Sequence, residues 1–380
     1  MFDFERGDDL DLVVETARSF ASAELVPKLR DHESARGVGP AVRAAYREIG
    51  LAGLELPERL GGAGLGALAR VLVNEELAAG DAGAALALDP LGAALYPLLE
   101  LGGEAAVEEL AIPLLDADGA RAVLVDERDA RLEIGATVSG KVPWVPADRV
   151  DLVVVLREDG ALAIRGGIAL EPLRGSGLRA AGASELRLDR AAPVARWSDA
   201  RAASRARARA RLHAASLLVG VARQAAEFSR EYALERRAFG RPIAHHQALA
   251  FLITDMRAAV DSARLLVHEA AWRVDAGLAC GAAAAAAYAE AIEAGAFVGP
   301  NGVQILGGHG FMQDYPVEKY MREIRALSVS LGGLDLAREE AGQALCAVSG
   351  RVALSSFEGL EGLDGLEGVE GVEGARGEGA

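Results

Sequence analysis

The chain has 380 residues, enough for two or three domains around a sizeable shared core. Apolar residues make up 51% of it but aromatics only 5%, and alanine, the best helix former, is abundant, so a mostly helical protein is expected. A formal net charge of −16 excludes the basic face a nucleic-acid binder needs, and no apolar run flanked by charge reaches the length of a bilayer span.

Met1 opens onto an acidic segment with no signal-peptide pattern, which points to a cytoplasmic protein. Cys280 and Cys346 stand far apart and outside any metal spacing, so both are expected as reduced, buried thiols. Residues 9–50 read as helix, with Leu10, Val13, Val14, Ala17, Phe20 and Ala21 at roughly helical spacing and a second periodic segment from Val42 to Ile49. The span 50–66, GLAGLELPERLGGAGLG, is a Gly- and Pro-rich loop; it lacks the lysine and the strand-then-helix setting of a phosphate-binding loop. Helix resumes over 67–80, with Glu75-Glu76-Leu77-Ala78, and continues with breaks to about Leu115.

The texture changes near Arg121. Residues 122–125 and 150–156 are β-type apolar runs, and 185–189 alternates with period two, as a half-buried strand does. Helical character returns at Arg201. The local run Arg201, Arg205, Arg207, Arg209 and Arg211 is read as a solvated helix start or a subunit contact. The alanine-rich segments 212–238, 246–277 and 280–297 suit a packed antiparallel bundle. The division expected is an α-helical domain over 1–120, a middle β domain over 121–197, a four-helix bundle over 198–350, and a low-complexity acidic, glycine-rich tail over 351–380 that is expected to be disordered.

Three stretches carry a family resemblance: the loop 50–66, the segment 232–247 (YALERRAFGRPIAHHQ), and 303–322 (VQILGGHGFMQDYPVEKYMR). Together with the helical, β, helical order they resemble the flavin-dependent acyl-CoA dehydrogenases over about residues 5–345, with the tail left out. The resemblance implies an FAD cofactor and an acyl-CoA substrate. A carboxylate removes the α-proton and the β-hydride passes to flavin N5, while hydrogen-bond donors polarise the thioester carbonyl. It also implies an oligomer, because one subunit holds the flavin ring and its neighbour clamps the adenosine diphosphate end. Arg236 and Phe239 match the arginine and phenylalanine of the clamp, and Gln247 the glutamine of the next helix. Gln304, Gly307 and Gly308 match the Q-x-x-G-G element, where missing side chains let backbone approach the cofactor. His309, His245 and His246 lack a matched third metal ligand, and structural or adenosine-side roles are expected for them, with no metal.

The flavin-ring side departs from the family pattern. The T-E-P-x-A-G-S-D segment is missing, and Val125-Asp126-Glu127-Arg128 runs almost directly into Ser139-Gly140-Lys141. Trp144 takes the position that stacks near the flavin, and a place in the core is the other reading of it. Pro146 falls where a threonine donates to flavin N5, and proline has no amide hydrogen. Counting from Arg322, Leu331 occupies the place of the catalytic glutamate, and the alternative base position on the earlier helix reads Ala210 before Arg211. The Leu331 amide remains as a candidate carbonyl donor, and Asp335 and Glu339 lie near in sequence. Three readings follow: a self-sufficient dehydrogenase with a displaced base; a base-lacking subunit, similar to those of heterotetrameric bacterial members, that lends the adenosine clamp to a homologous partner; or a flavin monooxygenase on the same fold. Retention of what serves a neighbour's cofactor, with loss of what serves its own, favours the second.

Overall fold

The structure, a computed structural model, describes residues 7–347. The acidic glycine-rich tail lies outside the described residues.

The N-terminal arm is α1 (Asp8–Phe20), a wide turn, a tight turn around Pro27, and α2 (Leu29–Ala35). Val14, Ala17, Ala21, Leu25 and Leu29, spaced three or four apart, put one stripe of the arm into the core. The helix expected over 9–50 is interrupted. Arg36 turns left-handed (φ 52°), and Pro40, past Gly37 and Gly39, opens α3 (Pro40–Glu48). Short turns across the glycine-rich loop lead into α4 (Ala67–Leu88), which is buried on almost every side. α4 runs past Gly80, kinked where Asp81 takes extended backbone angles (φ −166°, ψ 106°). There the Asp81 carboxylate accepts from the Ala84 amide at 3.1 Å, re-starting the helix as an internal cap, and from Lys319 Nζ at 2.8 Å.

Eight strands follow: β1 (Ala122–Asp126), β2 (Arg131–Ile134), β3 (Val138–Val145), β4 (Leu152–Leu156), β5 (Gly160–Ile164), β6 (Ile168–Pro172), β7 (Ser184–Ala191) and β8 (Ala195–Ser198). They form two four-stranded sheets in the orders β1-β4-β5-β8, with β1 and β4 parallel, and β2-β3-β7-β6. In the first sheet Val153, Val155, Leu162 and Ile164 pack toward Val142, Leu186 and Leu188 of the second. Its other face, with Leu152, Val154, Leu156 and Ala163, joins the helical core. Burial on both faces is why β4 reads as an unbroken apolar run, whereas β7, covered on one face, alternates.

The last part is α5 (Ala200–Glu235), a two-stranded hairpin of β9 (Arg237–Ala238) and β10 (Arg241–Pro242), α6 (Gln247–Asp275), α7 (Gly281–Leu306), α8 (Val317–Leu327) and α9 (Gly333–Ala347). The Asp199 side chain caps α5 by accepting from the Ala202 amide at 3.0 Å. α5, α6 and α7 pack on one another, with α8 and α9 against α7, and α4 lies along α5. Gly220 makes that last approach feasible: a Cβ there would stand 2.4 Å from the Glu75 carbonyl oxygen.

Two expectations are corrected. In the arginine run opening α5, Arg201 is exposed, but the other four do not form a solvated face. Arg205 pairs with Glu100 at 3.0 Å and Arg209 with Glu55 and Glu100 at 2.7 Å, while on the opposite side Arg207 pairs with Asp126 at 3.0 Å and Arg211 with Glu340. The N-terminal domain flanks one side of the helix, the β domain and α9 the other, and each brings acids. Of the two free thiols, Cys280 is buried but Cys346, on the outer face of the last helix, is exposed. Among the described residues no single helix is long and apolar enough to cross a membrane.

Candidate functional site

The residues singled out from the sequence lie at two places. The first is the end of the bundle. Arg236 caps α5, its amide donating to the Tyr232 carbonyl at 2.8 Å, and its side chain is exposed. Phe239 and Gly240 form the turn between β9 and β10 with φ of 52° and 84°. Two positive φ values in a two-residue hairpin loop are what a right-twisted ribbon requires, which accounts for the glycine in A-F-G-R. Phe239 is 95% exposed and meets only the edge of the His246 ring, 6.0 Å away. Gln247 opens α6 and Gln304 stands on the last turn of α7, both exposed.

Tyr232, Arg236, Ile243 and residues 305–309 line a depression of about 300 Å³ beside them. A Cβ on Gly307 or Gly308 would meet nothing within 4 Å, so the space they leave opens outward. The glycine pressed against its own chain is Gly310, whose added Cβ would lie 2.2 Å from the Val303 carbonyl oxygen. His309 has a structural place: its Nδ1 is 2.8 Å from the Tyr232 hydroxyl, and its ring stacks on Tyr315 at 4.9 Å. Among the described residues no group of His, Cys, Asp and Glu is arranged to hold a metal ion.

The second place is a cavity of about 390 Å³ where the N-terminal, β and bundle regions meet. Trp144 and Pro146 line it from the end of β3, Val123 and Val125 from β1, His213 and Leu217 from α5, and Leu331 from the turn after α8. None of the clamp residues lines it. Leu331 is buried and left-handed (φ 55°), and Gly332 and Gly333 follow at φ of 80° and 60°. Asp129 holds this turn: its carboxylate accepts from the Gly332 amide at 2.8 Å. Burial pushes the Asp129 pKa up, helped by Asp126, while the Gly332 and Leu331 amides oppose the shift. The Leu331 amide, the donor expected for a thioester carbonyl, lies in the same turn and faces the field of that carboxylate. Asp335 and Glu339 are exposed on α9 and do not line the cavity.

Sequence reading missed the polar groups of this cavity. Asp126 is gripped by Arg128, at 2.7 and 2.9 Å, and by Arg207, and despite its burial these arginines hold it below the usual carboxylate range. Burial drives the His213 pKa down to about 4, partly opposed by Asp89, so the imidazole is neutral; its Nδ1 lies 3.2 Å from Asn74 Nδ2 and 3.3 Å from the Tyr96 hydroxyl. Arg121 is buried just ahead of β1. Its Nη1 and Nη2 donate to the carbonyls of Asp89 and Pro146, both at 3.3 Å, and its Nε has no partner. Burial pulls even this guanidinium down, to about 10, with Asp89 opposing. The only signal in the sequence was one arginine adjoining an apolar β run.

Family models for the acyl-CoA dehydrogenase N-terminal and C-terminal domains match residues 7–118 and 200–345. Benzylmalonyl-CoA dehydrogenase of Aromatoleum aromaticum is 26% identical over 359 residues, covering 85% of this chain and 94% of that protein. The fold matches butyryl-CoA dehydrogenase from Megasphaera elsdenii with a TM-score of 0.79 at 23% identity, over 91% of this chain and 100% of that one. A glutaryl-CoA dehydrogenase from Mycobacterium smegmatis, solved in complex with FADH2, matches with a TM-score of 0.78 at 20% identity, over 92% and 97%.

Members of this family bind FAD, and the two places in this chain suit it unequally. At the bundle end Arg236, Phe239 and Gln304 present exposed side chains that a phosphate and an adenine can reach from outside. In the cavity, Pro146 offers no amide and its carbonyl is taken by Arg121, Asp126 is locked by two arginines, and the turn Glu127–Asp129 passes straight into β2 without a loop. Those residues do not fit a flavin ring of the chain's own.

Proposed function

The chain belongs to the acyl-CoA dehydrogenase family, and on that premise we propose that it is a base-lacking subunit of an FAD-dependent acyl-CoA dehydrogenase, lending its adenosine clamp to a homologous catalytic partner. The observation that carries this reading is the Leu331 turn. An apolar side chain stands where a base must take the α-proton, and the Gly332 amide that follows it is bound to Asp129. A positioned base is worth about 10²–10⁴-fold in rate, so a cavity lacking it is a poor catalyst for this reaction.

The bundle end supports the same reading. FAD supplies hydride acceptance when bound; this chain's residues would hold its far end. Arg236 has a planar, permanently charged fork for phosphate oxygens, and Phe239 offers an uncovered ring to adenine. Phe251, Phe297 and Phe311, exposed in the same region of the chain, supply apolar surface for a homologous subunit. A second reading, a self-sufficient enzyme with a displaced base, rests on Asp129, which lines the cavity with a raised pKa. Its commitment to the Gly332 amide ranks it below the first.

The test is to express the full chain alone and with a homologous acyl-CoA dehydrogenase subunit, and to measure bound flavin. One FAD per pair of unlike chains, and none on the chain alone, is the expected result. Full flavin occupancy with acyl-CoA turnover by the chain alone, abolished by Asp129→Asn, would establish the second reading instead.

A further inference from the structure

Five arginines are buried among the described residues: Arg70, Arg121, Arg207, Arg211 and Arg273. Four have a carboxylate: Arg70 has Glu55 at 3.1 Å, Arg207 has Asp126 at 3.0 Å, and Arg211 and Arg273 pair with Glu340 and Glu269. Arg121 has none within 4 Å among the described residues; its guanidinium makes two long bonds to carbonyls and leaves Nε unsatisfied. Desolvating a cation costs several kcal/mol unless an anion repays it, so a lone buried guanidinium on a cavity wall is a site awaiting negative charge. Nearby Asp89 favours the Arg121 cation through its charge but makes no ion pair with it within 4 Å: its carboxylate is held by the amides of Leu91 and Gly92 and lies 3.9 Å from Arg70. Asp126 and Asp129, which share the cavity wall, are likewise committed, the first to two arginines and the second to the Gly332 amide.

We propose that this cavity binds a small carboxylate with an apolar body, its charge held by Arg121 and its body by Trp144, Leu178, Leu217 and Leu331. At about 390 Å³ the space falls within the usual size of small-molecule sites, and its lining is mainly apolar with few polar groups, as such sites are. Among the described residues Arg121 is the one arginine on a wall whose two carboxylates are engaged elsewhere, so it matches one negative charge; a phosphate dianion would enter with charge left over and face those carboxylates. The proposal goes beyond the subunit role, since it assigns a ligand to a cavity that has lost its base, and it does not depend on any partner.

The experiment uses the full chain and isothermal titration calorimetry with 4-phenylbutyrate and its neutral isostere 4-phenylbutyramide. The acid is expected to bind at least tenfold more tightly than the amide, and Arg121→Met to remove that preference while still binding the amide. Ala214→Leu, which fills the cavity from α5 and leaves Arg121 in place, is expected to abolish binding of both compounds. Equal affinities for acid and amide, a preference surviving Arg121→Met, or binding surviving Ala214→Leu would each overturn the proposal. Displacement of the acid by FAD, with FAD binding itself lost in Arg121→Met, would assign the arginine to flavin and overturn it too.

Discussion

Arg236 and Phe239 are placed so that their removal should cost cofactor and not fold. Phe239 is 95% exposed, so truncation to alanine removes almost no burial within the chain, and an exposed substitution of this kind shifts stability by no more than about 0.5 kcal/mol. Against a bound cofactor the arithmetic differs. Covering one phenyl ring is worth about 1.5–3 kcal/mol, and charge-assisted hydrogen bonds from Arg236 to phosphate contribute a similar amount. Either Arg236→Ala or Phe239→Ala should therefore weaken FAD binding in the complex with a homologous partner by about 10- to 150-fold. The assay is FAD titration of the deflavinated complex by calorimetry, with thermal unfolding of the isolated variant chains alongside. Unchanged FAD affinity in both variants would refute the clamp, and a large drop in the unfolding midpoint of the isolated chain would show that these side chains serve the fold.

Other outcomes follow from the buried charges. Lys319 sits between Asp81, at 2.8 Å, and Glu323, all three essentially without solvent. Lys319→Met should leave two uncompensated carboxylates and cost about 3–5 kcal/mol by urea denaturation; a cost under 1 kcal/mol would contradict that pairing. Asp129→Ala should free the Gly332 amide, cost about 1–3 kcal/mol and speed its hydrogen exchange; unchanged exchange would show that the carboxylate does not hold the turn. His213 supplies a pH dependence. Folded, its pKa is depressed to about 4 from the ordinary 6.5, so between those values the unfolded chain binds more protons and stability falls as pH drops. The loss approaches about 3 kcal/mol at the acid end, and His213→Gln should flatten the slope of stability against pH in that window. An identical slope in wild type and variant would place the titration elsewhere.

What the sequence made legible was local chemistry. The glycine of A-F-G-R at a left-handed turn, the unbroken apolar run of β4 and the alanine-rich helices each have a cause within a few residues. The cavity was different. Leu331 could be located by counting from Arg322, but the carboxylate that holds its turn, Asp129 on the Gly332 amide, comes from some two hundred residues earlier. Arg121, Asp129 and His213 come from three separate elements, and each is a lone polar residue in an ordinary context. The arginines of α5 misled for the same reason. Two i,i+4 pairs on opposite sides of a helix look like a solvated face until both flanks are known to carry acids.

The most direct test of the central claim is anaerobic titration of the isolated full chain, mixed with equimolar FAD, against short-, medium- and branched-chain acyl-CoA thioesters. The account predicts that the flavin absorbance near 450 nm stays unbleached with every thioester and that FAD remains free on gel filtration. Stoichiometric bleaching of a tightly held flavin by any one of them would contradict it.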